Sequence, residues 1–369
     1  MRTFTNPFIK PPYIIAVSLL WFCTLVSHAA ERHLWDEGWR FALHPDDAPL
    51  QPDFKDDAWR LLDLPHDWAI EGDFYAQNPS GANGGALPGG IGWYRKHLAL
   101  HDSDAASRYV LHFDGAYMNT SVYVNGTLLG TRPYGFISFS FDITPHLNKQ
   151  GDNVVAVKVD NSRQPNSRWY TGCGIYRHVY LSKSTDVRVA EWGVQAISEV
   201  KKGVGHVTLN TQIENFSGRN RRVTVRQKLW NKALQLVTQA SKTCDVAVSG
   251  TTVKQQMRVP KPQLWSPASP NLYTITTEII ENGRVLDGDT IRMGMRTVAF
   301  DVKQGFFLNG KNMKINGVCL HGDLGCLGAA INEDALHRQV SMMKAMGANA
   351  IRCSHNPPAP ELLNLCAWE

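Results

Sequence analysis

The feature that most constrains the fold is a strand-helix-strand pattern near the C-terminus. Two short apolar runs, 314–321 and 349–355, flank a segment with helical periodicity. Asn332 can cap this helix, an apolar stripe follows over 336–343, and Gly347 can end it. Strand, helix and strand within this length predict a βαβ unit with two buried, parallel strands.

A histidine follows each of the two predicted strands, at His321 and His355. Successive parallel strands end at the same edge of a sheet. In a (β/α)8 barrel, polar side chains at these ends line the face where the chemistry takes place. A single histidine at a strand end is usually a turn residue, whereas two on adjacent strand ends inside a matching family motif favour a site.

The region 31–182 has the pattern of an antiparallel β-sandwich. Val155, Val157 and Val159 alternate with other residues, as in a half-buried strand, and Asn125-Gly126 separates two short β segments as in a tight hairpin. The length fits a jelly roll of about eight strands.

Alternating segments continue over 183–301, which predicts an immunoglobulin-like β-sandwich. Residues 302–369 then contain the βαβ unit. The chain is therefore expected to be mostly β and multidomain: a jelly roll, an immunoglobulin-like sandwich, and the first βαβ unit of a truncated TIM barrel.

Residues 1–30 have the features of a secretory signal peptide. Arg2 and Lys10 precede an apolar core, and a small-residue cleavage site lies near Ala29. The apolar run is too short to favour a membrane span. We expect a secreted or periplasmic protein. An outer-membrane lipoprotein is less favoured, because bulky Phe22 stands where a lipoprotein box has a small residue.

Charge and cysteine content exclude other classes. No basic cluster is longer than 219–222, so nucleic acid is not an expected partner. The cysteines after residue 30 are sparse and form no C-x-x-C pair, so neither a zinc site nor a disulfide scaffold is indicated. Cys319 and Cys353, inside predicted strands, are expected to be buried.

Several motifs resemble the β-galactosidase/β-glucuronidase/β-mannosidase family of glycoside hydrolases, family 2. Segments 305–311, 317–321 and 349–357 are similar to the start of its barrel. The last follows the signature Asn-x-apolar-Arg, two small residues, His-Tyr-Pro, with Asn356 in place of tyrosine. The motifs that resemble the family's sugar-binding domain are 64–68, 92–95 and 167–177.

The resemblance implies roles for the residues at the barrel mouth. His321 and His355 would bind hydroxyls of the sugar, and Arg352 would orient neighbouring carboxylates. Asp323 could accept from a sugar hydroxyl, and Asn356 is a further candidate for binding the substrate. Zinc binding by His321, Asp323 and His355 is a less favoured alternative, and no cofactor is expected in this chain.

In the resembled family, loops of the first sandwich reach over the barrel mouth. Arg168, Trp169 and Tyr170 are therefore candidates for contacts with the substrate or between domains. Alternatively, Trp169 and Tyr170 only pack the sandwich against the barrel, and we favour this for at least one of them.

The resemblance implies a retaining β-galactosidase that hydrolyses terminal β-galactosides of oligo- or polysaccharides. Such enzymes need two carboxylates about 5–5.5 Å apart. The family carries these glutamates after the fourth and seventh barrel strands, so neither is expected in this chain. Glu361 and Glu369 are poor substitutes, because they lie on or after the second helix.

We therefore expect an N-terminal part of the enzyme, cut near Ala367 by truncation or a frameshift and inactive alone. The resemblance also leaves open Mg²⁺ or Na⁺ in a full-length enzyme, a homo-oligomer, and β-glucuronidase or β-mannosidase specificity. A non-catalytic carbohydrate-binding protein is the alternative from another class.

Overall fold

Ten strands build the first sandwich within the residues that the computed structural model describes, which are 31–45, 49–100 and 107–368. The strands are β1 (Glu31–Leu34), β2 (Trp39–Leu43), β3 (Arg60–Leu62), β4 (Gly90–Leu100), β5 (Arg108–Phe113), β6 (Thr120–Val124), β7 (Thr127–Arg132), β8 (Phe139–Asp142), β9 (Gly151–Asn161) and β10 (Val179–Ser184). One sheet has the order β1-β10-β5-β8, and the other has the order β3-β2-β4-β9-β6-β7. The predicted signal peptide lies outside the described residues.

The core of this sandwich lies between the two sheets and includes Trp39, Tyr94, Phe113 and Val157. Asn125 and Gly126 both have positive φ and join β6 to β7, which confirms the predicted hairpin. Strand β9 is more buried than its alternation predicted, because Ala156 is as buried as its valine neighbours.

The chain around Asp56 covers the outer face of the sheet that contains β9. Arg95, opposite Ala156 in the register, is fully buried there and donates to the Asp56 carboxylate at 2.8 Å. A buried ion pair thus lies where the sequence pattern indicated solvent.

The second sandwich has seven strands in the described part of the chain. They are β11 (Val187–Lys201), β12 (Val204–Asn215), β13 (Arg221–Trp230), β14 (Leu236–Val246), β15 (Thr251–Pro260), β16 (Tyr273–Glu281) and β17 (Arg284–Met293). The sheet β11-β12-β15 packs on the sheet β14-β13-β16-β17. Alternate residues such as Val207, Leu209, Val223 and Ile275 fill the core, as the alternation predicted.

A small antiparallel sheet precedes the βαβ unit. Its strands are β18 (Val298–Asp301), β19 (Gly305–Leu308) and β20 (Lys311–Asn312). The unit itself contains β21 (Gly317–Leu320), α1 (Glu333–Ala345) and β22 (Ala350–Cys353), followed by α2 (Pro360–Trp368). Strands β21 and β22 pair in parallel, as predicted.

The helix boundaries follow the sequence signals. The Asn332 side chain accepts from the N–H of Ala335 at 2.9 Å, and Gly347 adopts positive φ just after the helix. Leu336 and Val340 are buried against the strands and α2.

The prediction that both strands are buried is wrong for one face. Cys319 is exposed and Cys353 is only half-buried. The helices cover one side of the two-stranded sheet, and no element among the described residues covers the side that carries Cys319.

Both sandwiches contact the βαβ unit. The backbone N–H of Ile331 donates to the carbonyl of Tyr176 in the first sandwich at 2.9 Å. The indole N–H of Trp265, from the second sandwich, donates to the carbonyl of Ala367 at 2.9 Å. Across the ranges that the structure describes, no helix is long and apolar enough to span a lipid bilayer.

Candidate functional site

Three aromatic rings from two domains meet at the ends of the parallel strands. The ring of Trp169 lies 5.2 Å from that of His321 and 5.8 Å from that of His355, measured between centroids. The two histidine rings are 6.1 Å apart. We call these three residues the ring cluster. Its tryptophan belongs to the first sandwich and its histidines to the βαβ unit.

The parallel register brings the two histidines together. Leu320 lies opposite Cys353, and the N–H of Ser354 donates to the carbonyl of Leu320 at 2.8 Å. His321 and His355 each follow the paired strands and so leave the sheet at one edge. This is the placement that the strand-end argument predicted.

Arg352 sets the orientation of His355. One guanidinium nitrogen of Arg352 lies 3.1 Å from Nδ1 of His355, and another donates to Oγ of Ser354 at 3.0 Å. A guanidinium group only donates hydrogen bonds. Nδ1 of His355 is therefore the acceptor, and the proton on the other ring nitrogen, Nε2, is available for a ligand.

The indole N–H of Trp169 is buried and has no hydrogen-bond acceptor among the described residues. A buried donor without a partner costs free energy, so such groups are usually satisfied by a ligand or by water. The ring cluster therefore presents donors and no internal acceptor for them.

Tyr170, next to Trp169, serves a contact between domains. Its hydroxyl donates to the carboxylate of Asp67, which also accepts from the N–H of Cys173 at 2.8 Å and of Ala329 at 2.9 Å. Ala329 belongs to the segment after His321. One carboxylate thus binds both segments that carry the ring cluster.

Asp67 was not selected from the sequence, although motif 64–68 contains it. Burial raises its pKa, and the hydrogen bonds from Ala329, Tyr170 and Cys173 partly offset that effect. A buried carboxylate needs several donors, and these are backbone groups that no sequence pattern marks. The sequence feature that could have pointed to Asp67 is the pair of glycines that lie against its carboxylate, Gly172 and Gly328.

Gly172 and Gly328 make room for this carboxylate. A Cβ on Gly172 would lie 2.8 Å from Oδ2 of Asp67, and one on Gly328 would lie 2.4 Å from the same atom. Both glycines also have positive φ. The close approach of two domains at Asp67 therefore requires glycine at both positions.

The remaining predicted residues lie at different distances from the ring cluster. Arg168 is exposed. Asp323 is exposed as well, and its carbonyl accepts from the amide of Gln339 at 3.4 Å. Asn356 is half-buried and accepts from the hydroxyl of Tyr134.

A cleft beside the ring cluster separates the first sandwich from the βαβ unit and encloses a cavity of about 50 Å³. Its walls include Phe136, His321 and Asn356. Arg177 is buried in the wall and donates to the carbonyl of Pro357 at 2.9 Å. This arginine was part of a recognised motif but was not predicted as a site residue.

Glu361 lies in the first turn of α2 and contacts His178, with 3.9 Å between Oε1 and Nε2. Glu369 is outside the described residues. No carboxylate is hydrogen-bonded to the ring cluster in the part of the chain that the structure describes. In that same part, no three His, Cys, Asp or Glu side chains converge closely enough to hold a metal ion.

Three sequence profiles of one family match consecutive parts of the chain. "Glycosyl hydrolases family 2, sugar binding domain" matches residues 34–185. "Glycosyl hydrolases family 2" matches residues 187–296, and "Glycosyl hydrolases family 2, TIM barrel domain" matches residues 300–368.

Individual proteins with similar sequences or structures are also named as glycosidases. The chain is 49% identical to β-galactosidase BoGH2A of Bacteroides ovatus, over 91% of this chain and 40% of that protein. It is 36% identical to a putative β-glucuronidase of Formosa agariphila, over 95% of this chain and 34% of that protein. A β-glycosidase of Bacteroides vulgatus superimposes with a TM-score of 0.87 at 37% identity, over 92% of this chain and 43% of that one.

The chain thus spans less than half the length of these relatives. Its two sandwiches and βαβ unit occur in the order of the three matched profiles. The chain belongs to glycosyl hydrolases family 2.

Proposed function

We propose that this chain is the substrate-binding part of a retaining glycoside hydrolase that acts on terminal β-galactosides. The observation that carries the proposal is the ring cluster, in which Trp169 of the first sandwich meets His321 and His355 at the strand ends. Sugar pockets need a few fixed polar groups among apolar and aromatic walls, and this cleft has both.

The cluster offers donors suited to sugar hydroxyls. Nε2 of His355 carries a proton available to a ligand, because Arg352 occupies Nδ1. Such hydrogen bonds accelerate hydrolysis when they strengthen as the oxocarbenium-like transition state forms. Arg352 acts here as a positioning residue, since it holds the His355 ring.

The two carboxylates of a retaining mechanism are not part of this arrangement. One carboxylate must protonate the leaving group and the other must attack the anomeric carbon. We propose that both glutamates come from barrel strands outside this sequence, and that the chain alone binds sugar without hydrolysing it at an enzymatic rate.

Preference for galactose over glucuronic acid is part of the same proposal. It is supported by the higher identity to a relative named β-galactosidase than to one named putative β-glucuronidase.

Ligand-observed NMR on the purified chain tests the binding. Methyl β-galactoside should bind in the millimolar range, typical of a small polar ligand, and more tightly than methyl β-glucuronide. Trp169→Ala should abolish binding, whereas Trp59→Ala, a half-buried tryptophan of the same sandwich without contact to the cluster, should leave it unchanged.

Equal loss in both variants, or tighter binding of the glucuronide, would contradict the proposal. Chelation with EDTA should have no effect on the binding, because we propose that these residues act without a metal.

We also propose that the protein is exported through a cleavable signal peptide at residues 1–30. N-terminal sequencing after expression in a Gram-negative host should find the mature chain in the periplasm or medium, starting near Glu31. An uncleaved or lipid-modified N-terminus would contradict this.

A further inference from the structure

One wall of the cleft is a loop of the first sandwich, residues 134–136, which we call the Tyr134 loop. It contacts the segment that follows β22. The hydroxyl of Tyr134 donates to Oδ1 of Asn356, the residue that directly follows His355. Asn356 stands where the family signature has tyrosine. An aromatic residue of the sandwich thus contacts the residue that follows His355 in the sequence.

Hydrogen bonds from Tyr176 and Arg177 fix the backbone of this loop. The hydroxyl of Tyr176 donates to the carbonyl of Gly135 at 2.9 Å, and Arg177 donates to the carbonyl of Phe136 at 3.3 Å. A Cβ on Gly135 would lie only 2.3 Å from the ring of Tyr117, so the backbone approaches that ring as closely as glycine allows. A wall fixed in this way binds a ligand without first losing loop entropy.

The same Arg177 also donates to the carbonyl of Pro357 on the opposite wall. The two walls of the cleft are therefore tied to one buried guanidinium. Their spacing is set before any ligand arrives.

Tyr134 on this loop and Asn356 on the opposite wall provide the binding groups. Tyr134 is 44% exposed, and its ring contacts Phe136 edge-on at 5.6 Å between centroids. Asn356 is half-buried, and because its Oδ1 accepts from Tyr134, its N–H₂ group is the part of the amide that can donate to a ligand. An aromatic face beside an N–H₂ group suits a pyranose ring, which presents C–H groups on one face and hydroxyl oxygens at its edge.

No charged side chain belongs to this pair, which favours a neutral ligand. We propose that Tyr134 and Asn356 form a second sugar subsite, which binds the unit attached to the terminal galactose. The substrate class is then a β-galactosyl di- or oligosaccharide with a neutral second sugar. This inference rests on the proposed function, because it places the second unit beside the ring cluster.

The test compares two ligands on the purified chain by NMR titration. Methyl β-galactoside occupies one subsite, and lactose, a β-galactosyl disaccharide, occupies both. Lactose should bind about five times more tightly, the gain expected for about 1 kcal/mol from one aromatic contact. Tyr134→Ala should remove this advantage and change the affinity for methyl β-galactoside less than about two-fold.

Tyr134→Phe separates the ring from the hydroxyl, and it should retain most of the advantage if the ring contacts the sugar. Tyr75→Ala, which removes an exposed tyrosine elsewhere on the same sandwich, serves as the matched control and should retain all of it. An equal loss for both ligands in Tyr134→Ala would indicate a general structural role and overturn the subsite.

Two further outcomes separate this inference from the proposed function. If methyl β-galactoside binds and lactose gains nothing, the subsite is wrong and the proposed function stands. If neither ligand binds, both are overturned.

Discussion

The carboxylate of Asp67 in the first sandwich accepts a hydrogen bond from the backbone N–H of Ala329 in the barrel segment, at 2.9 Å. The two residues belong to separate domains, so this bond links the sandwich to the barrel segment. It makes the position of the strand-end histidines depend on a residue of the sandwich.

Asp67→Asn is expected to weaken this contact severely. The amide would turn an N–H₂ group toward donors that now bond to carboxylate oxygens, and bonds to a charged acceptor typically contribute about 1.5–3 kcal/mol each. We expect a loss of about 2–4 kcal/mol, measured by calorimetric and denaturant unfolding. Asp73→Asn, an exposed position nearby, is the control and should change stability by less than about 0.5 kcal/mol.

Gly328→Ala tests the space around Asp67 independently. The new methyl group would lie 2.4 Å from Oδ2 of Asp67, in addition to the strain of alanine at positive φ. Gly325→Ala is a matched control, since its φ of +63° is close to the +61° of Gly328 and nothing lies within 4 Å of its Cβ. Thermal unfolding should show a loss about 1–3 kcal/mol larger for Gly328→Ala. Equal losses would mean that backbone strain alone accounts for the requirement.

The stability of the chain should fall as the pH rises above about 6.5. Burial lowers the pKa of His178, but its hydrogen bond to Asp36 and the nearby charges of Asp36, Glu361 and Asp114 outweigh burial, so the pKa is raised. A raised pKa stabilises the folded state below the unfolded value. This contribution is lost as the pH passes the folded value.

His178→Gln should therefore flatten the dependence of the unfolding temperature on pH between about 6 and 8. His33→Gln, at an exposed position, is the control for the substitution itself. The pKa shifts of two other histidines also contribute to the pH dependence of stability. His112 has a raised pKa and adds to this slope, whereas burial lowers the pKa of His66, whose contribution is lost as the pH falls below about 6.5. A wild-type curve without a decline above pH 6.5 would refute the assignment.

Glu361→Gln is expected to stabilise the protein near pH 7. Burial raises the pKa of Glu361, and its Oε2 atom is buried without a hydrogen-bond donor among the described residues. The neutral amide removes the cost of the buried charge, so the unfolding temperature should rise by about 1–2 °C. Glu333→Gln is the control, because it removes an exposed charge from the first turn of the other helix, α1. It should lower or leave unchanged the unfolding temperature.

Much of the fold could be predicted, because local patterns determine it. The Asn125-Gly126 hairpin, the alternation of Val207 and Leu209, and the Asn332 cap each depend on residues a few positions apart. The parallel pairing of β21 and β22 followed from two apolar runs and the helix between them. In these cases the residues that determine the local structure lie close together in the sequence.

The site could be predicted only in part, because its contacts join distant segments. The strand-end rule identified His321 and His355, and a motif identified Trp169, but no local pattern relates Tyr134 to Asn356 or Asp67 to Ala329. The exposure of Cys319 was missed for a related reason. Burial of a strand face depends on which other elements cover it, and alternation within the strand does not report them.

The ring cluster also has an order of assembly. Trp169 lies in a sandwich that is synthesised, and can fold, well before the ribosome reaches His321 and His355, since domains generally fold as units from the N-terminus. The half of the site that carries Trp169, Asp67 and the Tyr134 loop is then complete when the first barrel strands emerge. The barrel strands then dock on a sandwich that is already folded. A mutation that delays folding of the sandwich would leave His321 and His355 without Trp169 to contact.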